Sequence, residues 1–351
     1  MQALLLTEYK HLEVTAMPRP EPVAGEVLIA VGACGICGSD VHGYDGASGR
    51  RIPPIIMGHE AAGTIVETGT GITDFKPGDR VTFDSTVYCG RCDFCKRGEV
   101  NLCDDRQVVG VSCGEYRRAG AFAELVVVPE RILYRLPDAL GFAEAAMLEA
   151  VSVALHGVRL AEVKAGDSAL VIGAGMIGLL LLQAARVAGC SPVYVADVDA
   201  SRLAIARELG ATETFAGSGS DLIEQVRART GQRGVDHVFE AVGRGETVNA
   251  AIECVRKGGT VTLVGNIARE VMLPLQKVVT RQIRLQGSCA SAGEYPQAME
   301  LVCSGQIRVD RLITAVAPLS EGASWFERLH AREPNLMKIV LDPRLGNGAI
   351  E

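Results

Sequence analysis

The sequence contains no hydrophobic run long enough to span a bilayer as a helix, and it has no excess of positive charge. Its longest apolar stretch, 176–189, is interrupted by Gln183 and Arg186 and directly follows a glycine turn, which indicates a buried helix. The formal net charge of −7 opposes binding to a phosphate backbone. We therefore expect neither a membrane-spanning segment nor a nucleic-acid partner.

Internal repeats, low-complexity linkers and an export signal are also missing. Residues 1–14 have no basic region and no small-residue cleavage site, so we expect a reducing, cytoplasmic location. A chain of 351 residues exceeds what one hydrophobic core usually fills, which predicts two domains.

Four cysteines stand close together in residues 89–103, with the spacing C-x2-C-x2-C-x7-C. Thiolates this close can converge on one tetrahedral ion and close a short lobe that has too few apolar residues to fold alone. Disulfides would instead need an oxidising compartment. The pattern predicts a structural zinc lobe over 88–104, with the ligands Cys89, Cys92, Cys95 and Cys103.

A second set of metal-ligating residue types lies upstream of the lobe. Cys37 is flanked by glycine and isoleucine in GICGSDVH, and His59 and Glu60 form part of a Gly-His-Glu triplet. Catalytic zinc typically has three protein ligands and leaves its fourth position for water or substrate. These residues predict an open zinc site that differs from the closed one in the lobe.

The strand and helix patterns change along the chain and predict an α/β protein with two architectures. Up to about residue 140, short β segments separated by glycine and proline turns indicate a barrel-like β domain. Residues 142–161 have helical periodicity. From Ser168 onward, six apolar strands alternate with amphipathic helices, which predicts a doubly wound parallel sheet.

A glycine-rich turn between a strand and a helix predicts a dinucleotide site in the second domain. Gly173 permits the tight turn, Gly175 allows a pyrophosphate to approach the backbone, and Gly178 allows the helix to pack on the strand. The next strand ends in Asp197, whose carboxylate can accept bonds from the ribose hydroxyls and repels a 2′-phosphate, which favours NAD. Arg202 lies near the adenine or caps its own helix. The remaining candidate cofactor contacts are Met176, Ile177 and Val264.

With GICGSD, GHE-x-x-G, KPGDRV, CGRCDFC and GAGMIG in this order, the chain resembles the zinc-containing medium-chain alcohol dehydrogenases, and among them the polyol branch. The resemblance implies a GroES-like catalytic domain over 1–154, a Rossmann domain over 155–290, and a return to the catalytic domain over 291–351. It also implies NAD, one catalytic and one structural zinc per chain, and a homodimer or homotetramer.

The resemblance also implies roles for individual residues. Cys37 and His59 match catalytic zinc ligands, and either Glu149 or Glu60 supplies the third, with Glu149 preferred. Ser39 matches a relay hydroxyl that passes a proton towards His42. Asp40 matches an acid that orients the zinc-ligating histidine. Where relatives have Glu-Pro, this chain has Glu149 followed by alanine.

The resemblance implies oxidation of a secondary hydroxyl in a polyol or polyol phosphate. Two arginine pairs, Arg50 with Arg51 and Arg117 with Arg118, are candidates for binding a phosphate, but solvated surface pairs are the preferred interpretation. The alternatives are a threonine or simple-alcohol dehydrogenase, a non-catalytic NAD-binding zinc protein, and a zinc-independent reductase, which the zinc-type residues oppose.

Overall fold

The computed structural model describes residues 1–113 and 116–346. These residues form two compact units, one made of 1–149, 295–303 and 309–346 and the other of 150–294 and 304–308. Within the described ranges, no helix is both long and apolar enough to cross a membrane.

The first unit is built on a seven-stranded sheet that is mostly antiparallel. Its central strand, Glu26–Gly35, is almost wholly buried because strands pair with both of its edges and side chains cover its faces. The strands of this sheet lie in the order Leu133–Arg135, Arg80–Phe83, Glu60–Thr68, Glu26–Gly35, Lys338–Asp342 and Ile313–Pro318, with Leu125–Pro129 also paired to Glu26–Gly35.

Smaller sheets and helices complete this unit. The smaller sheets are Gln2–Glu8 with His11–Ala16 and Ile55–Ile56, Thr86–Val87 with Gln107–Val108, and Ser112–Cys113 with Tyr116–Arg117. The helices are Gly38–Tyr44, Asp93–Lys96, Phe142–Ala146, Tyr295–Cys303 and Gly322–His330. The core includes Leu4, Ile29, Phe83, Phe122 and Phe326, which are all nearly inaccessible to solvent.

The helical region predicted over 142–161 is two helices instead of one. Phe142–Ala146 ends where the Met147 amide bonds to the Glu144 carbonyl at 3.0 Å, which tightens the last turn into a three-residue repeat. A second helix, Leu148–Leu160, then runs from the first unit into the second.

The second unit is the predicted Rossmann sheet, and the fold class is confirmed. All six strands are parallel, in the order Glu213–Ala216, Val193–Asp197, Ala169–Ile172, Val235–Glu240, Val255–Leu263 and Arg284–Gly287. The helices are Met176–Val187, Ala200–Glu208, Gly219–Arg229, Gly245–Cys254 and Leu275–Thr280. The order reverses beside Ala169–Ile172, and a ligand binds such a sheet at the carboxyl ends of the strands next to this reversal.

Candidate metal and cofactor sites

The four lobe cysteines converge in the structure, with sulfur atoms within 4.8 Å of one another. The Sγ of Cys95 lies 3.5 Å from that of Cys92 and 4.0 Å from that of Cys89. Zinc–sulfur bonds of about 2.3 Å place tetrahedral sulfur ligands about 3.8 Å apart. The donor set and its spacing therefore fit a structural zinc ion.

Backbone amides reinforce this thiolate cluster. The amides of Arg91 and Cys92 each donate to the Cys89 Sγ at 3.4 Å, and the Cys89 amide donates to the Cys103 Sγ at 3.2 Å. The bonds from Arg91 and Cys92 lower the pKa of Cys89 to about 6. These backbone amides thus favour the thiolate form of Cys89, while burial raises the pKa of Cys95 and Cys103.

A second donor cluster consists of Cys37, His59 and Glu60, whose ligand atoms also lie within 4.8 Å of one another. Cys37 precedes the helix Gly38–Tyr44, and His59 stands immediately before the strand Glu60–Thr68. Gly58 is required at the entry to this strand, because a Cβ there would lie 2.8 Å from both the Cys34 sulfur and the Phe122 ring.

Glu60 is anchored by a buried cation that the sequence analysis did not identify. Lys338 is 1% exposed and donates to the Glu60 Oε2 and, at 3.0 Å, to the Ile36 carbonyl oxygen. Glu60 Oε1 is buried and has no hydrogen-bond partner among the residues that the structure describes. An orphaned carboxylate oxygen beside a thiol and an imidazole fits a metal ligand. The signal in the sequence is a lysine at the start of an otherwise apolar strand, Lys338–Asp342.

Glu149 lies outside this compact cluster but in the same electrostatic environment. Burial, together with the negative charges of Glu60 and Asp84, raises the pKa of Glu149 to about 7, while His59 and Lys338 oppose the shift. The charges of Glu149 and of the cluster therefore interact, and the ligand atoms that come together are those of Cys37, His59 and Glu60.

The predicted orienting acid, Asp40, lies against the imidazole of His59. Its Oδ1 is 3.3 Å from the His59 Nδ1, and its Oδ2 accepts the Cys37 amide at 3.2 Å. Burial alone would raise the pKa of Asp40, but the charges of His59 and Arg51 hold it well below its usual value. With the Asp40 carboxylate beside Nδ1, the His59 Nε2 is the nitrogen available to ligate a metal.

The two predicted relay residues share the helix Gly38–Tyr44. The Ser39 Oγ lies 3.4 Å from the His59 Nε2, and the side chain of Ser39 is exposed at the end of the helix. His42 is also exposed and lies three residues further on, which places it on the same side of the helix.

The glycine loop of the second unit has the geometry of a phosphate cradle. Gly173 has a φ of +97°, and a Cβ on Gly178 would lie 1.7 Å from the Gly173 carbonyl oxygen, so both positions require glycine. A Cβ on Gly175 would meet nothing within 4 Å, which leaves that side of the loop open. Met176 and Ile177 begin the helix Met176–Val187, whose free amides favour an anion.

The other predicted cofactor residues lie around this loop. Asp197 ends its strand and accepts the Ala174 amide at 2.6 Å, so its carboxylate stands directly beside the loop. The Arg202 guanidinium lies 3.6 Å from the carboxylate of Asp199, and Asp199 is the residue that caps the helix Ala200–Glu208. Val264 follows the fifth strand, and its amide donates to the Glu240 carbonyl.

Glu240 is a further residue of this region that sequence reasoning missed. Its buried carboxylate accepts the amides of Val242 and Gly243 at 2.9 Å, which fixes the turn after its strand. The Val242 side chain lies where a Cβ on Gly173 would be, so the turn packs directly against the glycine loop. The signal in the sequence that could have identified Glu240 is an acidic residue shortly before a glycine turn.

The arginine pairs are not uniformly solvated, and that interpretation was wrong for Arg51 and Arg118. Arg51 is 4% exposed because its guanidinium bonds to Asp40, and Arg118 is mostly covered because it pairs with Glu26 at 2.9 Å. Arg50 and Arg117 are exposed as expected.

Comparison with known proteins identifies the family. The model of the alcohol dehydrogenase GroES-like domain matches residues 23–138, and the model of the zinc-binding dehydrogenase domain matches residues 177–304. The chain is 32% identical to the sorbitol dehydrogenase of Bacillus subtilis (strain 168), over 98% of this chain and 97% of that protein. The chain belongs to the zinc-type alcohol dehydrogenase family.

Two further relatives of this zinc-type dehydrogenase extend the comparison. It is 34% identical to the D-arabitol-phosphate dehydrogenase of Enterococcus avium, over 95% of this chain and 94% of that one. A zinc-binding dehydrogenase from Sinorhizobium meliloti 1021, solved bound to NADP, superposes with a TM-score of 0.89 and 34% identity, covering 97% of this chain and 99% of that chain. The resemblance inferred from the motifs is confirmed.

Proposed function

We propose that this protein is a zinc-dependent dehydrogenase that oxidises a secondary hydroxyl of a polyol to a ketone and transfers the hydride to NAD. The observation that carries the proposal is the cluster of Cys37 with the buried His59 and Glu60, whose charges also act on a second carboxylate, Glu149. Zinc-independent reductases of this fold have no use for such a donor set.

Cys37, His59 and Glu60 would hold the catalytic zinc. The geometry supports Glu60 over Glu149 as the third ligand, because Glu60 Oε1 is buried without a partner and lies within the cluster. Glu149 would then accept a hydrogen bond from a substrate hydroxyl or from water. When bound, zinc supplies a Lewis acid that makes the substrate hydroxyl acidic near neutral pH.

Residues of the chain would transfer the proton of the substrate hydroxyl to solvent. Asp40 keeps the imidazole of His59 in one tautomer, and the exposed hydroxyl of Ser39 lies 3.4 Å from the His59 Nε2. Ser39 would receive the proton of the substrate hydroxyl and pass it to His42 and solvent. Both residues lie on one side of the same short helix, which supports this route.

NAD is the proposed cofactor because Asp197 stands beside the open glycine loop. Its carboxylate would accept hydrogen bonds from the adenine ribose and repel a 2′-phosphate. The NADP-bound relative makes NADP the alternative. A cytoplasmic homodimer or homotetramer stays a prediction.

Polyols are the proposed substrates because one hydroxyl can bind the metal while a neighbouring one meets Glu149. The similarity to a sorbitol dehydrogenase supports this class. The similarity to an arabitol-phosphate dehydrogenase keeps polyol phosphates as the second candidate, for which the exposed Arg50 and Arg117 are the available cations. Threonine and simple alcohols are the remaining alternatives.

The test is NADH formation by the zinc-loaded protein on sorbitol, xylitol, arabitol, their phosphates, simple alcohols and threonine. Turnover on an unphosphorylated polyol that a chelator abolishes supports the proposal. A preference for the phosphates, lost in Arg117→Gln or Arg50→Gln, would replace it with the second candidate. NADH binding without any turnover would indicate a non-catalytic protein.

A further inference from the structure

Arg51 is a buried arginine that takes no direct part in the proposed reaction. It is 4% exposed, and burying a guanidinium is costly unless its donors are satisfied. Its Nε and Nη2 donate to the Asp40 Oδ1 at 3.2 and 2.9 Å, and its Nη1 donates to the Arg50 carbonyl at 3.2 Å. The Nη2 also donates to the Ser39 Oγ at 3.3 Å.

The fold makes specific room for this side chain. A Cβ on Gly43 would lie 2.0 Å from the Arg51 Cγ, so only glycine at this position of the helix Gly38–Tyr44 lets the arginine stem pass. The backbone on the other side is also fixed, because the Ser112 hydroxyl accepts the Ile52 amide at 2.7 Å. Arg51 is therefore held between the helix and its own anchored segment.

The hydrogen bonds of Arg51 limit what its two partners can do. Asp40 Oδ1 is shared by the guanidinium and by the His59 Nδ1, so Arg51 keeps this oxygen against the imidazole. A guanidinium can only donate. The Ser39 Oγ accepts a hydrogen bond from the guanidinium, and the hydrogen of the Ser39 hydroxyl must therefore point away from Arg51.

We infer that Arg51 is a positioning residue that fixes Asp40 against His59 and sets the direction of the Ser39 hydroxyl. The part of the inference that concerns Ser39 rests on the proposed function. The part that concerns His59 rests only on the proposed zinc site and not on turnover, because it predicts how firmly the open site holds zinc. Arg51 acts through these neighbours and does not itself touch the substrate.

The experiment compares Arg51→Gln and Arg51→Lys with Arg80→Gln, a half-buried arginine of the same unit that donates to backbone carbonyls in 137–140 and lies over the Phe142 ring. Zinc release to a colorimetric chelator, kcat, the KM for NAD and the melting temperature are measured for each. Loss of a residue that supports a metal ligand typically costs about 10–100-fold in metal affinity or activity.

For Arg51→Gln we expect one zinc equivalent to leave about 10–100-fold faster and kcat to fall by a similar factor, while the other zinc and the KM for NAD stay unchanged. Arg51→Lys should recover part of the zinc retention, because an ammonium can neutralise Asp40. It should recover less of kcat, because one ammonium cannot reproduce the fork to Asp40 and Ser39.

Two results would overturn the inference. One is a lower melting temperature with wild-type zinc release and kcat, as expected for Arg80→Gln. The other is wild-type zinc release and wild-type kcat in Arg51→Lys, and this result would overturn the inference even if Arg51→Gln does not fold. If the wild-type protein turns over no substrate, the proposed function fails, whereas zinc release still decides whether Arg51 supports His59.

Discussion

The two candidate zinc sites differ in how the chain builds them. The four candidate ligands of the lobe come from one short segment, 89–103, and backbone amides of that segment donate to the Cys89 Sγ. The open cluster brings Cys37 together with His59 and Glu60 from another strand, and it needs the buried cations Arg51 and Lys338. A closed site can thus be encoded locally, whereas an open site with carboxylates depends on charges supplied by distant parts of the fold.

The largest expected effect comes from removing the thiol of the open site. Cys37→Ser should lower kcat/KM by about 1,000-fold or more, because Lewis-acid stabilisation is worth several kcal/mol. The melting temperature should change little, since the lobe and both cores are intact. The matched control is Cys303→Ser, whose thiol is exposed. Normal activity in Cys37→Ser would refute the assignment of the open site.

Breaking the buried ion pair should have the next largest effect. Lys338→Met leaves Glu60 as an uncompensated buried charge, which typically costs about 3–5 kcal/mol in free energy of unfolding. The double variant Lys338→Met, Glu60→Gln should recover much of this loss, and chemical denaturation measures it. If the single variant were as stable as wild type in the metal-free form, the open site would not need its cation.

Replacing one cysteine of the lobe should show that the two sites bind metal independently. Cys95→Ser should release the lobe zinc and lower the melting temperature, by roughly 2–4 °C for each kcal/mol lost. Cobalt absorption from the Cys37 thiolate should persist, because no residue of the lobe belongs to the open cluster. Loss of the signals from both sites would show that the sites are not independent.

The sequence alone grouped the four lobe cysteines, whereas it grouped the residues of the open cluster only in part. The spacing brings Cys89, Cys92, Cys95 and Cys103 together, as the structure does, because all four lie within one short segment. No spacing rule connects Lys338 to Glu60, since their contact requires two distant strands to pair with opposite sides of Glu26–Gly35. Charge balance in a buried site follows from the fold and is not visible in a local pattern.

The fold was also predictable from the sequence only in part. The six strands of the parallel sheet were predictable because strand-like segments alternate regularly with amphipathic helices, and the clearest of them is a continuous apolar run, Ala169–Ile172, where all residues are buried. The break at Met147 was not, because a single altered hydrogen bond ends one helix where good helix formers continue. The helix Gly38–Tyr44 was also missed, since only seven residues with two glycines form it.

The cofactor site gives a smaller effect that should leave both zinc sites untouched. Asp197→Asn should raise the KM for NAD about 10-fold, the equivalent of one charge-assisted hydrogen bond, and should reduce the discrimination against NADP. Asp221→Asn, an exposed acid of the same unit, is the control. If the preference between NAD and NADP were unchanged in Asp197→Asn, Asp197 would not take part in cofactor recognition.

The smallest expected effect is an acid-dependent loss of stability away from both zinc sites. Burial would raise the pKa of Asp236, but hydrogen bonds from Ser168 and Arg256 hold it well below its usual value. A lowered folded-state pKa gives stability that is present above about pH 4 and is lost as the pH falls further. Asp236→Asn should therefore cost about 1–3 kcal/mol at neutral pH.

The difference in free energy of unfolding between wild type and Asp236→Asn should narrow when denaturation is repeated at pH 3. A difference that stays constant from pH 7 to pH 3 would mean that the charge of Asp236 is not the stabilising feature.

The most direct test of the account is the zinc content of the purified protein and of its Cys37→Ser and Cys303→Ser variants, measured by elemental mass spectrometry. The account predicts two zinc equivalents per chain in wild type and in Cys303→Ser, and one in Cys37→Ser. One equivalent or less in wild type, or no loss in Cys37→Ser, would contradict the claim that this chain builds two different zinc sites.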